Sequence, residues 1–175
     1  MLSEEQHVET KFTPWRMKYI KRGDTPPGGC VFCAMAAAPP ERDEDHLVLH
    51  RGERCFVVMN LYPYNTAHLM VLPFEHTADL VGLEPEVAEE LFELTRRTVG
   101  LLSAEYQPQG FNLGMNLGRT AGAGIAEHLH MHIVPRWNGD TNFMPVVGGT
   151  KLIPEDLEGT YRRLRPAFAG LAAHR

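Results

Sequence analysis

The stretch His128-Leu129-His130-Met131-His132-Ile133-Val134-Pro135-Arg136 decides how this chain is read. Side chains along a β-strand alternate between its two faces. A strand over 128–134 therefore lines one face with three imidazoles and puts Leu129, Met131 and Ile133 on the other. The segment Gly118-Arg119-Thr120-Ala121-Gly122-Ala123-Gly124 runs into it. A single strand histidine is ordinarily a surface residue. Three in strict alternation beside a glycine loop point to phosphoryl chemistry or to metal binding.

The two chemistries make different demands. A neutral imidazole, with an ordinary pKa of about 6.5, is a good nucleophile near neutral pH and can form a covalent intermediate with phosphorus. His132 could then give a hydrogen bond or proton to the phosphate. The amides of Gly122 and Gly124 could cradle its oxygens, and the Asn116 side chain could orient a further oxygen. The competing reading is a zinc hydrolase, because three imidazoles can hold zinc and leave a position open for water. No carboxylate stands among these histidines, which weakens it.

Upstream, 30–38 reads as a short helix stopped by Pro39-Pro40. Residues 46–50, 55–59 and 67–72 read as three strands of an antiparallel meander, with a turn at Arg51-Gly52-Glu53 and a loop over 61–66. The best helix is 85–105, with Val87, Leu91, Leu94 and Leu101 at helical spacings and Pro85 suited to its first turn. Strand resumes at 110–116, precedes the histidine strand, and a weaker helix covers 154–169. Residues 142–147 form a short strand or loop. The class is α+β: a meander, a helix, two more strands and a helical tail. Residues 1–29, with the aromatic run Phe12-Thr13-Pro14-Trp15, form an extension docked on a single domain over 30–175.

Cys30-Val31-Phe32-Cys33 lies behind the loop Pro26-Pro27-Gly28-Gly29, which is not the strand-to-helix setting of a redox dithiol. Two buried thiols or a structural zinc site remain, and zinc would tie the N-terminal segment to the sheet. Zinc needs two more ligands. His76 and His128 are the candidates, with His46 and His50 as spares. Cys55, in an apolar run, reads as core. His7 and His174 read as solvent-exposed, and Trp15 and Trp137 as packing anchors.

A chain of 175 residues with 43% hydrophobic and 22% charged content has room for a sizeable core. Its formal charge of −5 argues against a nucleic-acid-gripping protein. The longest apolar run, 30–38, is too short to span a bilayer. The acidic start Met1-Leu2-Ser3-Glu4-Glu5 lacks signal-peptide character, so the chain reads as cytoplasmic.

His128-Leu129-His130-Met131-His132-Ile133-Val134 fits the pattern His-φ-His-φ-His-φ-φ, with φ apolar, and resembles the histidine triad (HIT) superfamily. Asn60, the run Asn65-Thr66-Ala67-His68-Leu69-Met70-Val71-Leu72-Pro73, and Gly114-Met115-Asn116-Leu117-Gly118 extend the resemblance over about 30–136. It implies a HIT-like fold: a five-stranded, mainly antiparallel sheet with two main helices, dimerising into a ten-stranded sheet. It also implies an enzyme that hydrolyses or transfers nucleotidyl groups. His130 is then the nucleophile, flanked by His128 and His132 and supported by His68. The nucleotide contacts fall on Asn60, Asn116, His132 and the loop residues Gly122, Ala123, Gly124 and Ile125. Members with Cys-x-x-Cys hold one structural zinc, which carries onto Cys30, Cys33, His76 and His128, and no organic cofactor is implied.

Phe12-Thr13-Pro14-Trp15-Arg16-Met17, Asn60-Leu61-Tyr62-Pro63-Tyr64-Asn65 and Ala126-Glu127-His128 resemble the bacterial diadenosine tetraphosphate phosphorylase branch. Hydrolases of dinucleoside polyphosphates usually carry Gln four residues before the first triad histidine, where this chain has Gly124, and often Gln at the Asn116 position. Both departures favour a transferase-like site open to a phosphate acceptor. The phosphorylase branch tends to have Ser at the Gly124 position. The alternatives are an AMP-phosphoramidate hydrolase and a nucleotide-binding module without catalysis. The expected partners are a nucleotide substrate and a second copy of the chain, not nucleic acid or membrane.

Overall fold

The structure, a computed structural model, describes residues 29–140 and 153–171. The expectations for the N-terminal extension and for 142–147 lie outside these residues. The described elements are α1 (Val31–Ala37), β1 (Val48–Arg51), β2 (Cys55–Met59), β3 (Leu69–Pro73), α2 (Pro85–Tyr106), β4 (Gly110–Gly114), β5 (Met131–Arg136) and α3 (Leu157–Ala169). Short 3-10 turns at Pro40–Arg42 and Arg119–Ala121 complete the set.

The strands form one antiparallel sheet in the order β1-β2-β3-β5-β4. Alternation assigns each strand two faces. Leu49, Cys55, Val57, Met59, Leu69, Val71 and Ile133 face one way and pack under α2 and α3, against Val87, Leu91, Leu94, Leu102, Tyr161, Leu164 and Phe168. The helical spacing of these α2 residues is what turns that helix face inward. The opposite face carries a smaller cluster of Val48, Phe56, Val58, Met70 and Leu72, closed by Phe32 from α1. His68, just ahead of β3, continues the Met70–Leu72 face, and so does Asn60 past the end of β2. The helices α2 and α3 thus cover one face of the sheet, and the other is left for chemistry.

Four elements have bounds that differ from the sequence reading. The first strand starts at Val48, because Leu47 has φ 58 and the Leu47 amide turns back to the Glu44 carbonyl. The strand before the glycine segment stops at Gly114, which leaves Asn116 beyond the ladder. The histidine strand starts at Met131, not at 128. Its β3 pairing runs only from Val71↔Met131 to Leu69↔Ile133, and upstream the Leu129 amide donates to the Thr77 carbonyl at 2.7 Å. The third helix begins at Leu157, where Asp156 accepts a hydrogen bond from the Gly159 amide.

Candidate active site and metal centre

The three histidines part before β5 begins, since His128 and His130 both precede Met131. His130 and His132 stay on one face, with ring centroids 4.8 Å apart. His128 turns toward the Cys-x-x-Cys helix instead. Phe32 bridges the two groups, 5.5 Å from the His128 ring and 5.4 Å from that of His130.

Backbone carbonyls settle which ring nitrogen of each histidine carries the proton, since a carbonyl can only accept. His130 Nδ1 lies 2.8 Å from the His128 carbonyl, so Nδ1 donates and Nε2 keeps its lone pair. Burial lowers the His130 pKa, against the raising effect of that bond, so the ring is neutral near pH 7. His128 Nε2 lies 2.9 Å from the Pro73 carbonyl, so its lone pair is on Nδ1. Burial lowers this ring's pKa too, with the Pro73 bond opposing and the neighbouring His76 and His130 adding to it.

A second chain of bonds orders His68 and His132. The Tyr64 amide donates to His68 Nδ1 at 3.0 Å. The Asn60 side chain supports the same polarity: its Oδ1 accepts from the Tyr62 amide at 2.9 Å, which turns its Nδ2 toward His68 Nδ1 at 3.3 Å. His68 Nε2 therefore carries a proton and donates to His132 Nδ1 at 2.9 Å. In neutral His132 the proton is then on Nε2. The Tyr64 ring leans over both imidazoles, 4.7 Å from His68 and 5.8 Å from His132. The face thus offers a lone pair on His130 Nε2 beside an N–H on His132, groups able to act as a nucleophile and a hydrogen-bond donor.

The glycine segment is a compact turn. Gly122 has φ 91, and the Gly122 and Ala123 amides close it onto the carbonyls of Arg119 and Gly118. Those two amides are therefore engaged. Gly124 and Ile125 carry the amides with no backbone partner among the described residues. Ile125 packs against the Phe32 cluster, which brings this end of the turn to the histidine face. An ion pair of Arg119 with Glu127 ties the turn's start to its end. Asn116 is half-buried, two residues past Gly114, which pairs with His132 across the sheet.

Cys30, Cys33, His76 and His128 gather with ligand atoms all within 4.8 Å of one another. Cys30 caps the N-terminus of α1 and Cys33 lies in its first turn, so the spacing converges both thiols. The Sγ···Nδ1 separations are 3.5 Å for Cys30–His128, 3.6 Å for Cys33–His128 and 3.2 Å for Cys33–His76. Tetrahedral zinc, with bonds of about 2.3 Å to sulfur and 2.0–2.1 Å to nitrogen, needs roughly 3.5 Å between unlike ligands. The donor set fits. His46 and His50, the spare ligands, are not in this cluster; His50 sits on β1, with Arg97, Glu90 and Arg165 in its field. Cys55 is core, its thiol directed at the Val87 carbonyl.

Sequence reasoning missed four contributors. Tyr64 acts through its amide, which carries no side-chain signature. Asn65 is 4% exposed and joins the 60–68 loop to the end of β5. Asp140 gathers Asn65, Arg136 and Trp137. Arg51 grips the C-terminus of α1 through the Ala36 and Met35 carbonyls while paired with Asp43. The opposite charges of Arg136 and Asp140 around Asn138-Gly139 were the one available signal.

Residues 41–139, more than half of the chain, match the HIT domain family. The chain belongs to the HIT family. Among HIT relatives, an AP-4-A phosphorylase of Mycobacterium tuberculosis is 37% identical over 172 residues, covering 96% of this chain and 88% of its own. A Zn-bound histidine triad family protein from Mycobacterium smegmatis superposes with a TM-score of 0.63 at 28% identity, over 80% of this chain and 93% of that one. A hypothetical histidine triad nucleotide-binding protein from Sulfolobus tokodaii shares the HIT fold, with a TM-score of 0.63 at 23% identity over 80% and 92% of the two chains. Among the described residues, no helix is long and apolar enough to cross a membrane.

Proposed function

We propose that this chain is a nucleotidyl-transferring enzyme that cleaves diadenosine tetraphosphate with inorganic phosphate as acceptor, through a nucleotidyl-histidine intermediate on His130. The observation that carries this reading is the bond from His130 Nδ1 to the His128 carbonyl, which leaves Nε2 as an unprotonated nucleophile. In the first step His130 Nε2 bonds to the α-phosphorus and the bridging P–O bond breaks. His132 Nε2–H donates a hydrogen bond to the leaving oxygen, which departs as the terminal phosphate anion of ATP, and His68 Nε2–H holds His132 in the tautomer that can do so. In the second step an anionic oxygen of phosphate bonds to the same phosphorus, the Nε2–P bond breaks, and neutral His130 leaves with its Nδ1–H still donating to the His128 carbonyl. The amides of Gly124 and Ile125 and the side chains of Asn60 and Asn116 bind the nucleotide, with Gly122 and Ala123 shaping the turn.

The likeness to an AP-4-A phosphorylase over nearly the whole chain supports both substrate and acceptor. Zinc is the metal proposed for Cys30, Cys33, His76 and His128. When bound it supplies a crosslink between the first turn of α1, the segment after β3 and the start of the histidine stretch. A homodimer is proposed across the β4 edge, supported by the exposure of Leu113 and Leu117 there and of Phe92 on α2. The proposed domain spans 30–175, with 1–29 docked on it, and the proposed location is the cytoplasm.

A product assay on diadenosine tetraphosphate tests the reading. Phosphate should yield ADP and ATP, and omitting it should suppress turnover. AMP as the main product whether or not phosphate is present would assign hydrolysis instead.

A further inference from the structure

The 60–68 loop carries the two groups that fix the tautomer of His68, yet most of it lies outside the strand ladder. It also holds an alanine, Ala67, at φ 55, a left-handed conformation that side-chain-bearing residues adopt only when their surroundings impose it. What imposes it is Asn65. Its carbonyl accepts from the His68 amide at 3.2 Å. Its side-chain Nδ2 donates to the Pro135 carbonyl at 3.0 Å and to Asp140 Oδ2 at 2.8 Å.

Asp140 is in turn saturated. Its carboxylate takes Arg136 Nε at 2.6 Å, Arg136 Nη2 at 2.9 Å and the Trp137 amide at 3.1 Å besides Asn65. Arg136 continues the line to Asn112 Oδ1 on β4 at 2.7 Å. Loop, β5 and β4 are therefore braced at one carboxylate, beside a small cavity of about 180 Å³ lined by Tyr64, Asn65, Asn112, Val134 and Arg136. The partners of the carboxylate are all donors, so an isosteric amide cannot satisfy them together.

We propose that Asp140, acting through Asn65, is a positioning residue for the histidine relay. It holds the 60–68 loop so that the Tyr64 amide meets His68 Nδ1 and keeps the His68 proton on the nitrogen facing His132. Asp140 touches no reacting atom; its effect runs through the loop. The proposal rests on the relay reading of His68 and His132, and its test separates the two.

Tautomers are read in long-range proton–nitrogen spectra of the full-length, zinc-loaded, histidine-labelled protein at pH 8, without substrate. Wild type should show His68 as a single Nε2–H form. Asp140→Asn and Asn65→Ser should each turn His68 and His132 into mixtures of tautomers, while His128 and His130 keep their protons on Nε2 and Nδ1. With diadenosine tetraphosphate and phosphate, kcat should fall about tenfold to a hundredfold, the range expected for slight misplacement of a reacting group, with KM held within about twofold. Should Asp140→Asn fail to fold, Asn65→Ser keeps the Arg136–Asp140 pair and carries the test. Folded variants with a lowered melting temperature but an unchanged His68 tautomer would overturn the proposal, as would a loss confined to KM. Because the tautomer is read without substrate, an inactive wild type would overturn the functional reading alone.

Discussion

Replacing Arg51 with Met should destabilise the protein by about 3 kcal/mol, by leaving the buried Asp43 carboxylate without its partner. The Arg51 guanidinium lies 2.7 Å from Asp43 and donates to the carbonyls of Ala36 and Met35 at 2.8 and 2.9 Å. Removing one partner of a buried ion pair costs roughly 3–5 kcal/mol, because the other charge stays behind without compensation. The Asp43 side chain is 9% exposed and that of Arg51 18%, so water reaches the pair slightly and the lower end applies. The two α1 carbonyls add little, since each can regain a water. For a chain of this size each kcal/mol is worth about 2–4 °C, so the midpoint should drop by about 6–12 °C. Urea unfolding at pH 7, with zinc and with chelator, reads the change. The double variant Arg51→Met with Asp43→Asn should recover a substantial part, since the stranded charge is the main cost. A loss below about 1 kcal/mol, or a double variant no more stable than Arg51→Met alone, would refute the reasoning.

Other outcomes follow from the same geometry. His130→Ala should lower kcat by about a thousandfold or more while nucleotide binding, measured by calorimetry with AMP, persists. Cys33→Ser should remove the metal found by elemental analysis, because one of two thiolate ligands is gone. Thiol titration of the zinc-loaded native protein should find Cys30 and Cys33 protected and released by chelation, whereas Cys55, its thiol pushed up to about 12 by burial, should react only on unfolding. Arg136 beside Asp140 holds that carboxyl well below the usual range, so its contribution is complete above the ordinary value of 3.8 and fades as the pH falls from there. Asp140→Asn should therefore be less stable than wild type at pH 7 and converge with it in acid, as read by urea midpoints across pH.

The sheet and the histidine face could be read from the sequence because both rest on local pattern. Cys55-Phe56-Val57-Val58-Met59 and the spacing of Val87, Leu91 and Leu94 declare a strand and a helix without tertiary help. Cys30 and Cys33 were legible as a ligand pair for a similar reason, and His76 and His128, first among the four histidines weighed to complete it, are the ones that gather with them. The start of β5 was not legible, because alternation alone cannot tell that His128 leaves the ladder to reach the Pro73 carbonyl and the two thiols. Nor was the brace, for Asn65 and Asp140 are neighbours only once β3 and β5 pair. Tyr64 was hidden most completely, since its contribution to the relay is a backbone amide.

The central claim is that His130 Nε2 becomes bonded to the α-phosphorus. Rapid mixing of the enzyme with diadenosine tetraphosphate in the absence of phosphate, followed by alkaline quenching and peptide mass analysis, tests it directly. One adenylyl group should appear on the peptide holding 128–132, located on His130, and should disappear when phosphate is added, with ADP released. An adduct on His132 or His68, or turnover with no adduct at any time point, would contradict it.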